Sequence, residues 1–204
     1  MIHLPLERQY LVPAAMMSLL LVLFYSLPDA AHELLSYQSD LIAAGEWWRL
    51  FSGQLLHFEL SHLGLNVAGI WVMYLLFAEH AASWRYAILI GSLTLMIGIA
   101  MYCFAPDMQY YVGFSAVLYG IFAWGACLDI QRKIRLGYLL LFGMVAKVSW
   151  EMWQGPIAIG AADTSGLAVA AHFWGVVSGI IVALVWIVLR RHRQHKRHSP
   201  TWVE

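Results

Sequence analysis

The sequence predicts an all-α, multi-pass membrane protein of six spanning helices, and three observations carry that prediction. Hydrophobic residues make up 61% of the 204 positions and charged residues only 12%, a balance far more apolar than a soluble domain of this size needs. The apolar residues gather in six stretches near 10–27, 60–78, 86–105, 112–129, 136–153 and 165–189, each about the 20 residues of helix that cross a bilayer. The charge is unevenly spread although its total is zero: Arg190, Arg191, Arg193, Lys196 and Arg197 alone supply five of the 12 Lys and Arg residues.

The first stretch follows Arg8 and has the outline of a secretion signal. No small-residue cleavage site follows it near Pro28, so it is read as a retained helix. The connection over 28–59 is the longest, and sets Trp47, Trp48 and Phe51 around Arg49 as an amphipathic segment in the outer headgroup region. His57 stands just ahead of the second stretch. His62 and Asn66 follow in its first turns, four apart and on one helical face. The third and fourth stretches carry Cys103 and Cys127, which have no metal-type spacing and read as packing residues.

The fourth stretch opens with Gly113-Phe-Ser-Ala, so Ser115 begins a helix among unpaired N–H groups and the positive end of the helix dipole. Both features favour an oxyanion formed beside it. Tyr119 shares the Ser115 face, and Gly113 gives the turn its small supporting residue. Within the fifth stretch Lys147 and Glu151 are four apart and able to pair, which lowers the cost of burying either charge. They serve either to tie this helix to its neighbours or to face the opening used by substrate. His172 lies about seven residues into the sixth stretch, roughly 10 Å below its outer end at 1.5 Å per residue.

Basic residues set the orientation. Arg8, Arg85, the group Arg132, Lys133 and Arg135, and the run from Arg190 to Arg197 all fall on one side if both termini are cytoplasmic. Arg49 is then the outer-loop exception, Lys147 lies within a span, and the outer loops are 28–59, 106–111 and 154–164. The basic run could be taken for a nucleic-acid patch, but directly after a span it reads as a topology anchor on anionic headgroups. One domain over 1–204 is expected, with a core at about 10–189 and a basic tail at 190–204.

On this topology Ser115, His62, Asn66 and His172 converge at one depth near the outer surface. A histidine can take the serine proton while His62, Asn66 and the Ser115 N–H donate to a developing oxyanion. The nearest acid to His172 in its own helix is Asp163, nine residues earlier, so the reading is a Ser/His dyad with no carboxylate. Tyr119 then orients the imidazole by stacking. Competing readings are a small-residue packing face around Ser115, hydrogen-bonded structural histidines, and a haem or metal site, for which the spacing of His57 and His62 is poor. No metal or other cofactor is required by the dyad.

At these residues the chain resembles the rhomboid intramembrane serine proteases. The likeness runs through Trp48-Arg49, His57-Phe-Glu-Leu-Ser-His62-Leu-Gly-Leu-Asn66, Gly113-Phe-Ser-Ala with Tyr119, and Ala171-His172-Phe-Trp-Gly175 with Gly179, from about 45 to 185. It implies a six-helix rhomboid-like bundle, Ser115 as nucleophile, His172 as base, His62, Asn66 and the Ser115 amide as oxyanion hole, and His57 as a supporting residue. It also implies a site opened to substrate by movement near the fifth span. Ala116 departs from the usual Gly-x-Ser-Gly, but its N–H is kept.

The run Ala43-Ala-Gly-Glu-Trp-Trp-Arg-Leu50 and the pair Lys147 and Glu151 resemble the rhombosortase branch. That resemblance implies a protease of the bacterial inner membrane, open toward the periplasm. It would cleave exported or membrane-anchored proteins bearing a C-terminal Gly-Gly motif, a hydrophobic helix and a basic end. The alternatives are a general rhomboid protease of single-span proteins, an inactive rhomboid-like binder of membrane helices, and a transporter, for which repeated halves and broken helices are missing from the sequence.

Overall fold

The computed structural model describes residues 6–155 and 166–198, the side chains of 166–168 and 193–198 excepted. The chain folds as an all-α membrane protein. In order it forms α1 (Arg8–Tyr25), the short helices α2 (Asp29–Leu35), α3 (Ser39–Ala43) and α4 (Arg49–Ser52), then α5 (Leu60–Phe77), α6 (Trp84–Phe104), α7 (Ser115–Gln131), α8 (Arg135–Gln154) and α9 (Gly166–His198). Among the described residues four segments, Arg8–Tyr25, Leu60–His80, Trp84–Phe104 and Val169–His192, are long and apolar enough to cross a membrane. α7 is an apolar helix of 17 residues, and the 20 residues of α8 include Arg135, Lys147 and Glu151.

Hydrophobic character all round a helix calls for burial on every side. α7 meets that demand by packing against α5, α6, α8 and α9, with Ala116, Val117, Ile121, Ala123 and Trp124 all buried. Its contact with α9 is made by backbone. A Cβ on Gly175 would lie 2.2 Å from the Ala116 carbonyl oxygen, and one on Gly179 would lie 2.2 Å from that of Gly120. Small residues four apart on both helices therefore let the two axes approach closely. α8 sits at the edge of the bundle, with Gly137, Val148 and Glu151 as its buried residues.

The sequence places the start of the fourth helix near 112, whereas α7 begins at Ser115. The three preceding residues belong to the loop. Two-residue strands β1 (Tyr37–Gln38) and β2 (Tyr110–Tyr111) pair antiparallel, with Tyr37 opposite Tyr111, and Gly113 N–H donates to the Gly53 oxygen at 3.2 Å. So short a ladder leaves no alternating pattern to read. The long first connection is therefore stitched to the segment that delivers Ser115.

Within that connection Trp47, Trp48 and Phe51 are exposed, whereas Arg49 turns inward and is buried. Its guanidinium donates to Glu46 Oε2 and to the backbone oxygens of Glu33 and Ser36, each at 2.7 Å. A buried cation persists only where its donors are satisfied, and Arg49 pins three turns of the loop together in meeting that condition. At the other end, helix α9 continues past 189 into the basic run as far as His198. The third outer loop expected at 154–164 lies outside the described residues from 156 onward, and Asp163 with it.

Candidate active site

Ser115 is the first residue of α7 and His172 lies on α9, and the close α7/α9 contact brings them together. Ser115 Oγ and His172 Nε2 are 2.9 Å apart, a direct hydrogen bond. Both residues are half-buried, so the pair is enclosed without being sealed. With the imidazole proton on Nδ1, Nε2 accepts the serine hydroxyl and is placed to take its proton.

Tyr119, one turn along α7 from Ser115, lays its ring on the His172 imidazole. The centroids are 4.2 Å apart and the planes differ by 4°. A parallel stack fixes the imidazole plane, the orienting task that a carboxylate performs in a triad. Tyr111 is a site residue that sequence reasoning missed: its hydroxyl lies 3.4 Å from Ser115 Oγ. Its place depends on the β1/β2 pairing, which no local pattern announces.

His62 and Asn66 approach from α5. His62 lies against the backbone turn ahead of Ser115: a Cβ on Gly113 would fall 2.7 Å from His62 Cε1. At φ +127° Gly113 occupies backbone space that side-chain-bearing residues rarely adopt, so conformation and space both call for glycine there. Asn66 is buried, with Nδ2 3.0 Å from His57 Nε2 and 3.2 Å from the His62 oxygen.

His57 is fully buried, its ring edge-on to that of His62 at 5.0 Å. Burial, and secondarily the neighbouring His62, push its pKa down to about 4. A neutral His57 leaves Nε2 free to accept from the Asn66 amide, which fixes which end of that amide carries the donor. His57 therefore holds Asn66, and His62 stands beside the turn ahead of Ser115.

Lys147 and Glu151 pair at 2.7 Å, and Glu151 is buried. Lys147 Nζ makes a second bond, 2.6 Å to the Tyr119 hydroxyl. The sequence gives the pair but not this link, because hydropathy does not fix the rotation of an edge helix about its axis. Elsewhere, an apolar cavity of about 770 Å³ opens between α1 and α6, walled by residues including Val12, Met16, Trp84 and Ile90. None of the residues around Ser115 and His172 lines it.

A family model described as the Rhomboid domain matches residues 44–191. The chain is similar to rhomboid protease GluP of Bacillus subtilis (strain 168), 26% identical over 148 residues that make up 72% of this chain and 27% of that protein. It is also similar to rhomboid protease GlpG of Serratia proteamaculans (strain 568), 29% identical over 165 residues, which are 79% of this chain and 55% of that protein. The chain thus spans about a quarter and about half of the lengths of these two relatives.

Proposed function

The chain belongs to the rhomboid family, and we propose that it is an intramembrane serine protease with Ser115 as nucleophile and His172 as general base. The observation that carries this reading is the 2.9 Å Ser115 Oγ to His172 Nε2 bond, made beneath a stacked Tyr119 ring. In the first step Ser115 Oγ bonds to a substrate carbonyl carbon as His172 takes the hydroxyl proton. The negative charge moves to the carbonyl oxygen, stabilised by the Ser115 N–H and by donors from His62 and Asn66. The imidazolium returns its proton to the departing amine as the peptide bond breaks. Water then releases the acyl group as a carboxylic acid and regenerates the serine.

The substrate class follows from the finer resemblance of the run 43–50. It is an exported or membrane-anchored protein whose C-terminal tail combines a Gly-Gly motif, a hydrophobic helix and a basic end. Such a tail presents its small, unbranched segment at the outer surface, where the half-buried Ser115 is reached from one side of a bilayer. The enzyme then works in a bacterial inner membrane, with its site open toward the periplasm.

Cleavage in cells of two exported reporters tests both levels. One carries the Gly-Gly tail with helix and basic end, the other a generic transmembrane segment, and each is run against Ser115→Ala. Serine-dependent release of only the Gly-Gly reporter is expected. Release of both makes the protein a general rhomboid protease, and release of neither by correctly inserted protein makes it a helix-binding relative without activity.

A further inference from the structure

We propose that Lys147, held by Glu151, is a positioning residue for the His172 base and acts through Tyr119. The inference rests on the serine-protease reading above. It comes from a continuous line of contacts: Glu151 Oε1 accepts from Lys147 Nζ at 2.7 Å, Lys147 Nζ donates to the Tyr119 oxygen at 2.6 Å, the Tyr119 ring stacks on His172 at 4.2 Å, and His172 Nε2 meets Ser115 Oγ at 2.9 Å. Two ionisable side chains on a helix at the lipid-facing edge of a bundle are expensive and call for a role. A purely structural pair would be complete with the Lys147 and Glu151 bond. Here the ammonium spends a further donor on Tyr119, whose ring backs the candidate base.

Stacking alone fixes the plane of an imidazole but lets the two rings slide and turn over each other. Anchoring the Tyr119 hydroxyl removes that freedom, because a ring held at its far oxygen can no longer pivot about its Cβ. Glu151, 4% exposed, offsets the lysine charge, so the anchor adds little net field at the dyad. Both Lys147 contacts point into the bundle, toward α7 and along α8, which sets this role apart from one in gripping substrate.

The test uses full-length protein in lipid vesicles, measuring cleavage kinetics and the rate at which a fluorophosphonate probe labels Ser115. The variants are Ser115→Ala, Tyr119→Phe, Lys147→Arg, the double Lys147→Met/Glu151→Leu, which leaves no unpaired buried charge, and the triple adding Tyr119→Phe to that double. The double variant is expected to lose on the order of 100-fold in kcat and in labelling rate with KM unchanged, the scale for a misplaced catalytic group. Tyr119→Phe keeps the stack and should show a like loss, the triple variant should lose no more, and Lys147→Arg should recover part of the rate.

A raised KM with normal kcat overturns the inference in favour of substrate contact. A lowered melting temperature with normal labelling overturns it in favour of a structural tie, as does full activity in Tyr119→Phe. Wild-type protein labelled no faster than Ser115→Ala overturns the protease reading itself and this inference with it.

Discussion

Each side chain at the site has a separable job, so single substitutions should fail in different ways. Removing the Ser115 hydroxyl or the His172 ring leaves in place the close backbone approach of α7 and α9 at Ala116, Gly120, Gly175 and Gly179. Ser115→Ala and His172→Ala should therefore abolish cleavage while the protein accumulates normally in the membrane, which immunoblotting of membranes beside the reporter assay checks. Asn66→Ala removes a proposed oxyanion donor and should slow cleavage by roughly 10- to 1000-fold. His57 adds a pH signature. Its pKa is pushed down to about 4 by burial, against 6.5 when exposed, so between these values the unfolded chain binds the extra proton. Its stabilising contribution is complete above pH 6.5 and is lost as pH falls toward 4. Melting of the detergent-solubilised protein should drop across that window, and the drop should be smaller in His57→Gln; equal pH dependence in both proteins would refute the assignment.

At the scale of elements, what decides the site is how closely helices approach and which way they face. Four of the six expected spans coincide with described helices long and apolar enough to cross a membrane, because apolar runs and basic flanks mark where a helix can begin and end. Counting at a fixed rise per residue set Ser115 and His172 at a common level, and the two side chains meet at 2.9 Å. Rotation was not legible. α8 presents most of its surface outward, so nothing in its hydropathy says that Lys147 faces Tyr119. The inward turn of Arg49 was hidden for a related reason, since its carbonyl partners on Glu33 and Ser36 lie 16 and 13 residues away. Close approach is the most exposed of these features to mutation. Gly175→Val would drive side-chain atoms into the Ala116 carbonyl, within one residue of Ser115, and backbone there has no room to yield. That variant should lose both activity and stability, by an amount in the 1–3 kcal/mol range of overpacked cores or more, read from thermal melting beside cleavage. Gly143→Ala, where an added Cβ meets nothing within 4 Å, should melt like the wild type.

The molecule as a whole is polar end to end in the sense of charge, and that asymmetry predicts which face of the membrane carries the chemistry. Arg132 lies 3.8 Å from Glu79, Arg190 donates to the His80 oxygen at 3.1 Å, and Ser83 N–H donates to the Gln9 oxygen at 2.8 Å. These contacts gather the start of α1, the α5/α6 turn, the end of α7 and the basic stretch of α9 at one end of the bundle. Ser115 begins α7 and so lies at the opposite end. Of the described Lys and Arg residues near that end, Arg49 is buried, paired with Glu46 and capped by carbonyls, and Lys147 is paired with Glu151, so they offer little free charge to a membrane surface. The positive-inside rule then predicts that the basic end is cytoplasmic and that Ser115 opens outward. Single cysteines test this in a background with Cys103 and Cys127 replaced. Asp107→Cys lies in the exposed turn before Ser115, and Gln131→Cys lies at the exposed end of α7. A membrane-impermeant maleimide added to intact cells should label the first and spare the second until the membrane is opened. The reverse pattern would put Ser115 in the cytoplasm, out of reach of any exported tail, and the sorting role could not stand even if the dyad were active.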